Sequence, residues 1–272
     1  MASYIKAFNS ITSFQNFLNS MPISKLFEGR DLSSAETNSD TVRFTKTESY
    51  DEAVGKLLHG DDESAKRMQE NEKIHVKNMH GTGERKRAFT DVIGVAPHVP
   101  NYIAGIPQNM INVRRVKMKK KVLDVLYNFG ASGSNTAGEL ARVNALVIGA
   151  IMTCEKRGYR INLYITDLAH YDEEYCGAII RIKDSGQYID KYKMAYPLIH
   201  PSFLRRNCFR FTEVAPTLTK SSWTWGYGKP MNAENTAKVL SEHGYKFDKV
   251  FSFKDAQQVQ NEEQLSKMIA NE

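Results

Sequence analysis

Apolar positions recur three and four apart near the start of the chain. Tyr4, Phe8, Ile11, Phe14, Phe17 and Leu18 predict a helical opening over residues 2–26, ended or bent at Met21-Pro22. Residues 28–40 are rich in Ser, Thr, Asn and Asp and read as a loop. Ser49, with Glu52 three positions on, opens a helix with Ala53, Val54, Leu57 and Leu58 on one face, and His59-Gly60-Asp61 stops it. A more polar helix is predicted from Glu63 to about Met79. A glycine-broken basic segment follows to Thr90. Residues 92–109 hold Pro97, Pro100 and Pro107, too many for a central strand, and read as an irregular connector.

The clearest unit lies further on. Residues 121–127 alternate as a short strand, 128–135 form a Gly/Ser turn, and 136–157 form a long helix with Leu140, Val143, Leu146, Val147, Ala150 and Ile151 on its buried side. Gly158 caps that helix and 159–165 is the next strand. Strand, helix, strand at this spacing fits one crossover between parallel strands. Residues 176–183 predict another strand, a short helix follows His200, and a helix over 232–243 with a strand over 246–253 can close the domain. The expected class is α/β: one main domain with a mixed sheet flanked by helices, and not an OB fold. The expected organisation is a helical arm and loop (1–40), a main domain (41–254) and an acidic tail (255–272).

Composition adds limits. The 272 residues include 25% charged and 41% hydrophobic, which suits a folded chain. No run approaches about 20 apolar residues, so no membrane partner is expected. The start shows no secretory pattern. Three scattered cysteines, Cys154, Cys176 and Cys208, fit a reduced compartment, here the cytoplasm, better than a disulfide framework.

Candidate catalytic chemistry is thin. The turn at 130–133 lacks the glycine spacing of a dinucleotide fingerprint and the Gly-Lys-Ser/Thr of a P-loop. Ser132-Gly133-Ser134 resembles the metal-binding turn of von Willebrand factor A-type domains, but Gly130 stands where those carry aspartate. No metal or other cofactor is expected. An adaptor with such a sheet and no metal site is the alternative reading. The seven histidines do not pair at ligand spacing. A hydrolase using His200 and the acids near Asp172 is a third reading.

Charge is the stronger signal. The net charge is +6, and Lys/Arg concentrate between Glu84 and Lys121. Arg85, Lys86 and Arg87 form one cluster, and Arg114, Arg115, Lys117, Lys119, Lys120 and Lys121 form a run without an acid. As an extended segment the run would place Arg115, Lys117, Lys119 and Lys121 on one face. A second region interleaves Arg205, Arg206, Arg210, Lys220 and Lys229 with Phe203, Phe209, Phe211, Trp223, Trp225 and Tyr227. Near Gly226, Gly228 and Pro230 the Trp-Thr-Trp-Gly-Tyr stretch reads as a loop whose rings can stack on bases while cations hold phosphates.

Several longer stretches together resemble a known family. They are Tyr50-Asp51-Glu52-Ala53 ending at His59-Gly60, the Pro/Gly segment 91–110, Arg142-Val143-Asn144-Ala145-Leu146 leading to residues 155–160, and His200-Pro201-Ser202-Phe203-Leu204-Arg205-Arg206 through Arg210. Over residues 50–213 the chain resembles a phage and plasmid group. Within that group it is most similar to the Drc family, single-stranded-DNA-binding RNA polymerase cofactors of podoviruses with a virion RNA polymerase. The resemblance implies a single-stranded DNA partner, a phage-encoded RNA polymerase partner, an early role in transcription or replication in the host cytoplasm, and no catalysis. It carries no contact residues with it. A homo-oligomer is left open.

Overall fold

The computed structural model describes residues 3–76, 84–117, 121–133, 135–187 and 190–270; positions 70–76, 84–88, 113–117, 191 and 225 are described by backbone alone. The chain opens on a strand, β1 (Ser3–Phe8), where the apolar spacing predicts helix. β1 runs parallel to residues 175–180. Ser10 then starts α1 (Ile11–Ser20) with a reciprocal Ser10/Ser13 capping box. The helical spacing belongs to α1 alone. Phe8 joins it because its ring packs against Phe14 and Phe17, both at 5.3 Å, from the strand side. The opening segment is therefore woven into the sheet rather than held out as an arm.

Next come α2 (Ser39–Thr45), α3 (Tyr50–His59) and α4 (Asp62–Val76). Ser49 caps α3 by accepting from the Glu52 amide, and Gly60 ends it at φ +90°. A separate small sheet follows, built from β2 (Glu84–Asp91), β3 (Ala96–Pro97) and β4 (Met110–Lys117), with α5 (Val99–Ile103) between the last two. Its order is β2-β4-β3.

The expected α/β unit is present as β5 (Val122–Asn128), α6 (Ala137–Lys156) and β6 (Arg160–Thr166), with β5 and β6 parallel. Thr136 and Glu139 form the capping box of α6. The chain continues through β7 (Ala169–Tyr171), β8 (Glu174–Lys183), α7 (Lys191–Ile199), a π-helical turn (Phe203–Cys208), α8 (Phe209–Glu213) and α9 (Trp223–Gly226). It ends with β9 (Lys229–Pro230), α10 (Ala233–Glu242), β10 (Lys249–Ser252), α11 (Phe253–Gln258) and α12 (Glu262–Ala270). The main sheet has the order β10-β5-β6-β8-β7-β9, with β1 on the free side of β8. The fold is thus α/β with a mixed sheet flanked by helices.

Alternation along β5 divides the core. Leu123, Val125 and Tyr127 join the larger cluster with Val143, Val147 and Ile151 of α6. Leu126 faces the other way, into a smaller cluster with Leu168, Ile179, Met231, Val239 and Leu240 beneath α10. Helices therefore cover both faces of β5. Among the described residues α6 is the one helix long and apolar enough to span a membrane, and its apolar side lies in this core. The last residues are core as well. Leu265 and Ile269 of α12 are fully buried in the larger cluster, and Ala256 of α11 joins them. The expected acidic tail is instead a pair of helices packed on the core, with Asp255 held in the Ser252 capping box and Glu263 exposed.

Candidate nucleic-acid interface

Two places are candidates: the small sheet that precedes β5 in the chain, and a cavity at the C-terminal end of β5. β2 and β4 pair antiparallel over eight positions, and they pack chiefly on each other. The register sets Lys86 opposite Arg115 and Arg87 opposite Arg114, with Arg85 opposite Val116 and Glu84 opposite Lys117. Like charges directly across a ladder are destabilising, so two consecutive cation–cation pairs are a local cost that an external anion relieves. β3 stays at two residues because Pro97 cannot extend a ladder. Gly94 permits the turn before it: a Cβ there would lie 2.2 Å from the Ile111 carbonyl oxygen, which accepts from the Val95 amide.

The far end of this ribbon is ordered by its own hydrogen bonds. The Asn101 side chain donates to the Gln108 carbonyl (2.8 Å), and the Ile106 amide donates to the Asn101 carbonyl (2.9 Å). The result is an apolar tip exposing Val92, Ile93, Val95, Val99, Tyr102, Ile103 and Ile106. Residues 92–113 contain no Asp, Glu, Lys or Arg. The ribbon thus has a cationic stem and an uncharged apolar end. Beyond β4, Lys121 is exposed at the entry to β5. Lys119 and Lys120 lie outside the described residues, and for Arg85, Lys86, Arg87, Arg114, Arg115 and Lys117 the structure gives backbone register only.

The second place is a cavity of about 240 Å³ at the C-terminal ends of β5 and β6. Ligands of open α/β sheets gather at such strand ends where connections diverge to opposite faces, as they do around β5. Asn128 fixes the floor. Its side-chain amide donates to the Leu168 and Met231 carbonyls and to the Thr236 hydroxyl, and its oxygen accepts from the Gly130 amide. The turn 130–133, Arg205, Lys229 and Asp167 line the wall. Burial pushes the Asp167 carboxyl up to about 7, because its hydrogen bond from the Ala178 amide (3.3 Å) offsets desolvation only in part.

The 203–230 region itself departs from expectation. Trp223 is fully buried and donates its indole N–H to Glu174 (3.0 Å), so it is not a stacking platform. Tyr227 is buried, stacks on Phe209 at 4.1 Å and donates its hydroxyl to Glu213. Arg206 is fully buried and donates to the Thr47 hydroxyl and to the Thr47, Ser34 and Glu36 carbonyls. Arg210 is largely covered, over the Tyr50 ring and 3.7 Å from Glu213. These four residues are structural, since burial and internal partners consume the groups that a strand would need. The Trp225 side chain lies outside the described residues. Arg205 alone of this set faces the cavity with its guanidinium unpaired by any described acceptor.

A family model described as Domain of unknown function (DUF7192) matches residues 2–270. The chain belongs to that family. No curated protein and no solved structure matches it.

In this DUF7192 chain the residues missed by pattern reading are the tip apolars and Asp167. The tip carried a signal: a long uncharged stretch bracketed by Arg85-Lys86-Arg87 and Arg114-Arg115, as a hairpin requires. Asp167 carried none, because an acid after a strand usually faces water. Ser202 is fully buried, with its hydroxyl held by His200 Nδ1 and the Tyr196 hydroxyl, both at 2.7 Å. The charged groups acting on His200 are Asp61, Lys56, Glu63 and Arg67, not the acids near Asp172. Among the described residues no three His, Cys, Asp or Glu side chains converge as metal ligands.

Proposed function

We propose that this chain binds single-stranded DNA along the β2–β4 ribbon and, as the similarity to the Drc family implies, serves as a cofactor that brings a phage-encoded RNA polymerase to the strand. The carrying observation is the cation-on-cation register of Lys86/Arg115 and Arg87/Arg114. Alternation places Lys86, Arg115 and Lys117 at positions of one face and Arg85, Arg87 and Arg114 at positions of the other. Same-face neighbours along a strand are about 6.6–6.8 Å apart, twice the strand rise, so a flexible phosphate chain can follow either face. An exposed apolar tip beside it suits unstacked bases better than a closed duplex, and no recognition-helix signature is present.

The test is Lys86→Gln, Arg87→Gln, Arg114→Gln and Arg115→Gln together, titrated with labelled oligo-dT across a salt series. Each phosphate contact on a single strand contributes a slope of about −0.7, so four losses flatten the log–log slope by about 2–3. A parallel shift with unchanged slope refutes ribbon contact. A second reading, a protein-interaction adaptor, is favoured by the tip, where exposed Ile93, Val95, Tyr102 and Ile103 form an apolar patch of the kind protein partners cover. That reading requires that the parent chain bind neither single-stranded nor duplex DNA at moderate salt.

A further inference from the structure

Arg205 is the one arginine of the 203–230 region that makes no hydrogen bond or ion pair with a described residue. The π-helical turn aims it between the Phe44 and Phe209 rings, with its guanidinium carbon 5.2 and 5.3 Å from their centroids. Stacking fixes the plane of the group while leaving its N–H edge unoccupied. It makes no hydrogen bond or ion pair with any described residue; burial lowers its pKa, and the more distant Glu36 charge offsets that only in part. A desolvated guanidinium without an acceptor is costly unless something from outside supplies one. The turn backbone lies against it: a Cβ on Gly133 would sit 3.7 Å from Arg205 Nη2.

The surrounding donors converge on the same mouth. The exposed Lys229 lines it from β9. The Ala131 and Gly133 amides in the turn donate to no described group. The start of α6 is already satisfied by its own Thr136 and Glu139, so it is not the donor here. Two cations plus backbone amides around one concave opening suit a single multiply charged oxyanion rather than a chain of phosphates. Asp167 in the wall supplies a hydrogen-bonding carboxyl beyond the anion, where a sugar hydroxyl or base N–H of an ester would reach.

We propose that this cavity binds a phosphate monoester of the nucleotide type, with Arg205 and Lys229 as the charged donors and the Ala131 and Gly133 amides as the neutral ones. The site stands on the cavity alone and does not depend on the ribbon. It lies at the C-terminal end of β5, and no residue of the ribbon lines it.

Isothermal titration calorimetry with thymidine 5′-monophosphate, inorganic phosphate and thymidine tests it. The monophosphate is expected to saturate one site, inorganic phosphate to bind the same site more weakly, and thymidine not to bind. Arg205→Gln is expected to weaken monophosphate binding about tenfold or more. Lys229→Gln, at an exposed position that folding does not need, is expected to weaken it about threefold. Absence of saturable binding to monophosphate and phosphate at about 10 mM overturns the proposal. So does unchanged affinity in both folded variants, or thymidine binding as tightly as its monophosphate. Oligo-dT with a 5′-phosphate is then compared with the 5′-hydroxyl form. A gain that Arg205→Gln erases makes a strand terminus the source of the phosphate. Equal oligonucleotide affinities with monophosphate still bound make a free nucleotide the source. The four-Gln ribbon variant is run alongside: it keeps monophosphate binding if the cavity is correct, whether or not it loses the strand.

Discussion

The two cation-rich segments of this chain, 84–117 and 203–230, carry the same residue types and come to rest in opposite environments. In the second, Arg206, Arg210, Glu213, Trp223 and Tyr227 all meet partners inside the fold. Glu213 takes the Tyr227 hydroxyl, the Ser34 amide and hydroxyl, and Arg210. Glu174 takes the Trp223 indole together with Thr219 and the Lys220 amide. Burial alone would raise the Glu174 carboxyl, but these donors outweigh it and hold it below its ordinary range. In the first segment, cations face cations across the ladder. Composition is equal evidence for both; what it does not show is that Glu174 and Glu213 draw the rings and Arg210 of the second segment into the core.

The sharpest way to break this contrast is Trp223→Ala. Removing a fully buried indole is expected to cost about 3–5 kcal/mol in urea unfolding, with a further penalty from the donor Glu174 loses. Unchanged stability would return the ring to the surface and remove the distinction.

Asp167→Asn is expected to have the next largest effect, and its sign depends on pH. The folded carboxyl titrates near 7 against an ordinary value of 3.8. The native state therefore holds a proton that the unfolded chain has lost, and stability falls as pH rises from about 4 to 7. Above that window the amide variant should be more stable, by on the order of a few kcal/mol; at pH 4 the two should coincide. His200 works the other way. Burial lowers it to about 4, so stability is lost as pH falls from 6.5 toward 4. The two titrations oppose each other in the parent chain, and without Asp167 the acid loss due to His200 becomes visible in thermal melts across pH 4–7.

The four-Gln ribbon variant should move stability least, within about 0.5 kcal/mol and toward stabilisation, since it removes repulsive pairs. A clear loss of stability would mean that the stem cations have internal acceptors, and the two segments would then be alike.

Legibility in the sequence follows the same division. The β5–α6–β6 unit was readable to within a residue, because period, Thr136 cap and Gly158 stop agree locally. β1 was not, because its apolar residues happen to continue the spacing of α1 while its pairing partner is β8, far along the chain. The Trp-Thr-Trp alternation suggested an extended loop. Instead Tyr227 and Gly228 take positive φ (+52° and +83°), closing one helical turn that drives Trp223 inward, against Gly228. Of the candidate site, the cations of the stem were visible as a run, but their register needed the turn at Gly94 and Pro97, which no local pattern announces.

The pairing of β1 with β8 and of β5 with β10 also constrains how the chain is made. Ser3 waits for Tyr175, and Val125 waits for Lys249. Each is a contact of very long sequence separation, of the kind that slows folding and leaves strand edges open in the meantime. During synthesis the main sheet can be assembled from β5 to β8 but not completed until almost the whole polypeptide has emerged. Through that interval its edges remain available to whatever chaperone or neighbouring chain reaches them first.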